Sequence, residues 1–398
     1  MAISKITAHF GLVLGGFSFA FASAASADTH ATKTNDQSEY AVSYQINPAH
    51  SGTMKFKAGF KLPLTKLWME TISGASALSY PLIADGKVFV TALLDGEQAS
   101  DGAYALDIAT GSTVWSRTEN LGTFYVGPAY DNGAMFFQTG LGTVEALSAK
   151  SGKLNWSLQL GSQADAALTA VNGLIYADDG ATAIDEKTGN IQWVGDPVNA
   201  EADAPPAIGD KGVFIGGTCF YDKLNSRNGN TDWQYTSCQD YGVNADPTIY
   251  YSGRAYIEDD FAGNFILDAN TGSYEGTFNC NYRNHAGPPA FYEVNKQELG
   301  FCLYNGALYA WNVATGATLW SFTGDGELST APIVVNGLVF AGSYAGNIYA
   351  LDAGTGAKKW SDSFGNTLAI TSFGAGQNTL IVVFGNSSNM NVAAYGPK

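Results

Sequence analysis

Short apolar runs separated by turn signals fill this chain from about residue 64 onward. Residues 329–360 show the pattern most clearly, with runs at Pro332–Val335, Leu338–Ala341, Asn347–Leu351 and Ala357–Trp360. None has the 3.6-residue spacing of an amphipathic helix. Asn336-Gly337 between the first two runs is a tight-hairpin signal, because both central positions of that turn favour positive φ. Ala345-Gly346 marks the second turn. In the third, the Asp352 carboxylate can accept backbone N–H bonds while Gly356 takes the left-handed conformation. Four antiparallel strands of this size make one propeller blade.

The unit recurs. Trp68, Trp115, Trp156, Trp193, Trp233, Trp320 and Trp360 close successive copies, and Gly276 stands where one further Trp belongs, at intervals of 37 to 47 residues. A four-residue Gly-to-Trp step keeps the frame, as in Gly111/Trp115 and Gly356/Trp360. A period near 40 marks a repeat architecture. The chain ends after the third strand of its last unit, whereas LTKLWME at 64–70 is a fourth strand with no unit before it. The sequence therefore predicts an all-β, eight-bladed propeller over 61–398, its C-terminal blade completed by the N-terminal strand. A closed ring leaves only short, protected edges. The seven indoles are expected to fill the wedges between blades, each burying roughly 150–250 Å².

The ALDxxTGxxxW unit of 105–115 and 350–360 resembles the pyrroloquinoline quinone (PQQ) repeat, over about residues 60–398. YQINPAHSG at 44–52 is similar to the lead-in segment of such propellers. The resemblance implies the propeller fold. It extends to quinone-dependent dehydrogenases and to non-enzymatic members such as the outer-membrane-protein assembly lipoprotein, a scaffold that binds partner proteins. Dehydrogenase members often carry adjacent cysteines and hold calcium through Glu and Asn beside an Asp base. This chain has no vicinal cysteines, and no motif here matches that calcium set. It also lacks a Cys near the cleavage site described below, where the assembly lipoprotein carries its lipid.

The N-terminus reads as a secretory signal peptide over 1–27: Lys5, an apolar stretch from Phe10 to Phe21, and the small-residue site Ala25-Ser26-Ala27. Residues 28–60 form a leader and lead-in, disordered to about 40 and an ordered strap from Tyr44 to Phe60. Export to the periplasm or beyond follows. A formal charge of −16 without a basic stripe argues against nucleic acid and anionic lipid surfaces. No internal run is long enough to span a membrane. The four cysteines fit an oxidising compartment, with pairings Cys219–Cys238 and Cys280–Cys302 favoured among three connectivities.

Candidate chemistry lies where the repeat varies. Asp165, Asp203, Asp246, His285 and Glu327 stand just before the inner strands, around one mouth of the channel. Such a ring would bind a cation or a cationic ligand, against the alternative of solvated rim residues. His285 has no nucleophile motif beside it. The unit at 218–250 reads as carrying three extra residues between Asp222 and Gly229, with Tyr221, Tyr235 and Tyr241 either facing a partner or filling the blade. The expected protein is a monomeric, exported binding or scaffolding module for a protein or small ligand, without a cofactor. The alternative is a PQQ- and calcium-dependent dehydrogenase of alcohols or sugars.

Overall fold

Turn chemistry sets each hairpin. Asn336 (φ 47°) and Gly337 (φ 83°) join Ile333–Val335 to Leu338–Gly342. Farther along, Asp352 Oδ1 accepts from the Thr355 backbone N–H (3.0 Å) and hydroxyl (2.8 Å), and Gly356 N–H closes the turn on Asp352 O at 2.8 Å. Asn347–Asp352 is thereby folded back onto Lys358–Ser363. Opposite each outer-strand Trp the ladder slips by one residue, as between Ala350 and Leu351 against Trp360. This bulge adds local twist.

The computed structural model describes residues 38–94, 100–119, 127–139, 142–160, 167–177, 182–195, 205–217, 219–237, 247–258, 263–278, 280 and 287–398. They form eight antiparallel blades in chain order. The blades cover 75–119, 129–159, 169–194, 207–236, 249–276, 290–322, 333–363, and last 369–397 with 64–72. In the first blade the inner strand is split into Ala75–Leu78 and Leu82–Ala84. In the eighth, Leu64–Ile72 runs antiparallel to Asn389–Pro397, from Leu64↔Pro397 to Ile72↔Met390. Both ends of the sequence thus close one sheet, as the repeat predicts.

One expectation is overturned. The fourth blade carries no extra loop length after Asp222, because Asp222 lies inside the strand Phe220–Asn225. Asn225 takes the turn position: Gly229 N–H bonds Asn225 O at 2.9 Å, and Asn225 Oδ1 accepts from Arg227 N–H at 3.1 Å. Asn supplies the acceptor that Asp supplies elsewhere, so the step to Gly is the ordinary one.

The seams between blades repeat one device. Trp115 donates its indole N–H to Ala149 O (3.0 Å) and lies so close over Gly152 that a Cβ there would sit 2.7 Å from the ring. Trp68, Trp156, Trp193, Trp233 and Trp320 make the same N–H bond to Ile108, Glu186, Ser226, Ala269 and Ala353, at 2.8–3.1 Å. Gly276 cannot, and a Cβ on the facing Gly316 would meet nothing within 4 Å. There the volume is filled from the other side by Trp311, which replaces the usual Leu of the third strand. It is fully buried, stacks on Phe278 (6.0 Å), and sits against Gly300, where any Cβ would overlap the ring.

Gly316 (φ 69°) and Gly356 (φ 70°) share a backbone conformation, so alanine at either carries the same left-handed strain of about 1 kcal/mol. Only Gly356→Ala must also displace an indole, since its Cβ would lie 2.6 Å from Trp320. Gly356→Ala is expected to cost at least about 1 kcal/mol more than Gly316→Ala. Urea midpoints of the two variants check this, and equal midpoints would contradict the latch.

The strap completes the architecture. Its carbonyls accept at 2.7–3.0 Å from the turn residue Gln377 to Glu39, and from inner-strand N–H groups of Ile83 to Ala41, Tyr130 to Val42, Ile208 to Pro48, Tyr250 to Ala49, Phe291 to Ser51 and Val334 to Gly52. The blades are met in the order eighth, first, second, fourth, fifth, sixth, seventh. The third is reached through side chains, with Ser43 Oγ and His50 Nε2 each 3.5 Å from Thr169 Oγ1. Residues 39–52 therefore make one circuit of the channel. They supply acceptors to inner edges that would otherwise face it unpaired.

Candidate functional site

The strap turns inward once, between Val42 and Ile46, whose ends are tied by Val42 N–H to Ile46 O at 2.8 Å. Gln45 (φ 47°) and Ile46 (φ 76°) are non-glycine residues in the left-handed region, a conformation that persists only where its surroundings hold it. What holds it is Gly52 N–H on Gln45 O at 3.1 Å, and Gln45 Nε2 donating to Pro288 O at 3.2 Å. This turn places Tyr44 and Gln45 as the floor of a cavity of about 200 Å³. Its walls come from Tyr80 of the first blade, from the approaches to the sixth and seventh at Gly287, Ser329 and Ala331, and from Thr371, Ser372 and Phe373 within the inner strand Ala369–Gly376 of the eighth.

The described lining is aromatic, hydroxylic and amide, and none of it is charged. Tyr44 meets Tyr80 edge-to-face at 5.3 Å and His50 at 5.6 Å. The Ser329 and Ser372 hydroxyl oxygens are buried without hydrogen-bond partners, whereas neighbouring Thr330 donates to Ile370 O at 2.6 Å. Buried unsatisfied hydroxyls are costly, so these two suit a polar group arriving from the mouth.

Beneath the floor, His50 is fully buried with Nδ1 3.2 Å from Thr248 O. A carbonyl only accepts, so the neutral ring carries its proton on Nδ1. Burial pulls its pKa down to about 4, against the opposing pull of the Thr248 carbonyl. An unfolded chain takes up this proton below about pH 6.5, and the folded one refuses it until about 4. His50 therefore contributes stability above pH 6.5 that is lost as pH falls to about 4, on the order of 3 kcal/mol. Glu186 runs the other way: burial first, then the charge of Asp131, pushes it up to about 7, so its contribution is lost as pH rises through 7. Comparing melting temperatures of the native chain and His50→Gln from pH 7.5 to 4.5 isolates the first effect. The variant should flatten the acid-side decline, and parallel curves would refute it.

Of the residues singled out in the sequence, Asp165, Asp203, Asp246 and His285 lie outside the described residues, as do Tyr241 and Cys238. Glu327 is exposed, its N–H on Asp325 Oδ1 at 3.0 Å. Asp325, missed by sequence reasoning, accepts from Ser343 Oγ (2.7 Å) and Asn347 Nδ2 (2.6 Å). Burial pushes Asp325 up, but these bonds outweigh it and leave the carboxyl below its ordinary value. Tyr221 and Tyr235 both pack on Phe265 at 5.3 Å, filling the seam of the fourth and fifth blades. Cys280 is bonded to Cys302, and Cys219 is disulfide-bonded as well. Among the described residues no three His, Cys, Asp or Glu side chains come together as a metal-ligand set.

The family model described as outer membrane protein assembly factor BamB matches residues 101–256 and 265–398. The chain belongs to this family. Beyond it, the chain is 24% identical over 341 residues to a quinone alcohol dehydrogenase, dehydrogenase subunit, of Gluconacetobacter polyoxogenes, covering 77% of this chain and 40% of the relative. The same subunit of Komagataeibacter europaeus is 28% identical over 191 residues, 40% of this chain and 24% of its own. The chain thus spans less than half the length of these curated relatives. Among solved structures, BamB from Moraxella catarrhalis superposes with TM-score 0.60 at 16% identity over 84% of this chain and all of its own, 100%. A europium-containing methanol dehydrogenase superposes with TM-score 0.67 at 15% identity, covering 92% of this chain and 99% of that one. At such identities these likenesses show the fold. No helix among the described residues is long and apolar enough to cross a membrane.

Proposed function

We propose that this BamB-family propeller is an exported, monomeric binding or scaffolding module that engages a protein segment or small ligand at the cavity mouth, without a cofactor. The observation that carries the reading is the uncharged cavity on a floor made by the chain's own strap. A rigid ring whose variable approaches surround such a site divides labour between scaffold and loops in the usual way. Support for export comes from the Cys280–Cys302 disulfide, a bond that persists in oxidising compartments. Asp165, Asp203, Asp246, His285 and Glu327 are proposed as the mouth's outer contacts.

The second reading, a quinone-dependent dehydrogenase, rests on the names of the curated relatives. PQQ carries three carboxylates and acts with calcium. The described lining offers it neither a cation nor a carboxylate cluster, so those residues do not fit it and no step is derived through it. Titrating the purified chain with PQQ and calcium, while following absorbance and dye-linked alcohol oxidation, separates the two. Neither saturable binding nor turnover is expected, and observing both would replace the scaffold reading. Crosslinking in the native compartment, followed by pull-down, should recover a discrete partner that Tyr44→Ala or Ser372→Ala weakens. A partner held equally by these variants would move the contact away from the cavity.

A further inference from the structure

The seam between the fifth and sixth blades lacks the indole latch that six other seams share, since Gly276 replaces the Trp. It also carries a covalent bond: Cys280 leaves the fifth blade, Cys302 lies in the strand Gln297–Tyr304 of the sixth, and the two are joined. Both are buried, at 3% and 1% exposure, in one cluster with Phe278, Tyr256, Phe291 and Trp311. Among the described residues the seam is also spanned by aromatic packing, with Tyr251 stacked on Phe291 at 4.6 Å, and by a hydrogen bond from Ser252 to Glu298. The strap also touches both blades, through Ala49 and His50 on the fifth and Gln45, Ser51, Thr53 and Lys55 on the sixth.

We propose that this seam is a redox-dependent closure, in which the Cys280–Cys302 bond does the work that an indole latch does elsewhere. Closure requires the two thiols to lose two protons and two electrons as the S–S bond forms. A disulfide oxidant such as oxidised glutathione takes them up and leaves as two thiols. With the thiols reduced, this seam has neither latch nor staple and opens before any other, exposing the aromatic cluster. The indole-latched seams do not respond to redox state. Trp311 fills volume in both states, so the ring loosens locally without unfolding.

The test is hydrogen exchange on the full chain, comparing oxidised native protein with Cys280→Ala/Cys302→Ala, in which the bond of Cys219 is untouched. Exchange in 249–257 and 297–313 is expected to rise about tenfold or more, with 129–147, at the Trp115 seam, unchanged. Equal acceleration in every blade, or none in any, overturns the proposal. If the double variant does not fold, the native chain is reduced stepwise and trapped by alkylation. Seam exchange that rises with alkylation of Cys280 supports the closure. Exchange that tracks alkylation of Cys219 instead, or stays flat after Cys280 is alkylated, overturns it.

Discussion

Excising residues 38–60 is expected to abolish cooperative folding of the ring. The deletion removes acceptors for backbone N–H groups in seven of the eight blades, six of them in inner strands, each bond contributing about 1 kcal/mol net. It also removes buried Ile46, Met54, Phe56 and Phe60, each stabilising by about 1.5–3 kcal/mol. The unpaired inner edges would then face the channel, where each orphaned group costs more than its bond contributed. Against a domain stability of about 5–15 kcal/mol, the combined loss is the size of the whole. Near-ultraviolet circular dichroism and urea titration of the excised chain give the answer. A sharp transition at the native midpoint would mean the strap is a passenger rather than part of the core.

Trp115→Ala should be among the most damaging single substitutions, costing about 3–5 kcal/mol. The indole is 9% exposed, packs at 6.0 Å on Phe89 of its own blade, covers Gly152 of the next, and satisfies the Ala149 carbonyl. Alanine leaves a cavity at the seam and a carbonyl without its donor. Trp115→Phe separates the two contributions, because it keeps most of the packing and loses only the N–H, worth about 1 kcal/mol. The pair of urea midpoints should fall in that order. A loss below about 1 kcal/mol for alanine would show that the blades hold together without the latch.

The ring was legible because its turns are chemical. Asp352, Thr355 and Gly356 advertise their geometry, and counting the copies together with Trp68 predicts how the ring closes. The misframing at Asp222 shows the limit: pattern matching sought Asp, whereas the turn needs only an acceptor four residues before Gly, which Asn225 provides. Trp311 and Gly276 were both visible as departures from the repeat. Relating them required knowing that the two positions face the same seam. The strap's circuit had no such marker, because it works through backbone carbonyls that every residue carries. Nothing in the side chains of Gln45 and Ile46 announces positive φ, so the floor of the cavity emerged only with the fold. Ser329 and Ser372 are two hydroxyls among many, set apart solely by burial without a partner.

Joining Leu64–Ile72 to Asn389–Pro397 also fixes a time order. As the chain is made from its N-terminus, the strand bearing Trp68 has no sheet to join until residues 389–397 appear. Until then it remains an edge with exposed Leu67 and Met69, open to wrong partners. Ring closure is therefore a late, long-range step that brings together segments more than 300 residues apart, slow by its contact order. The eighth sheet can be completed only once residues 389–397 have been made, so the strand at 64–72 must be kept from other partners until then.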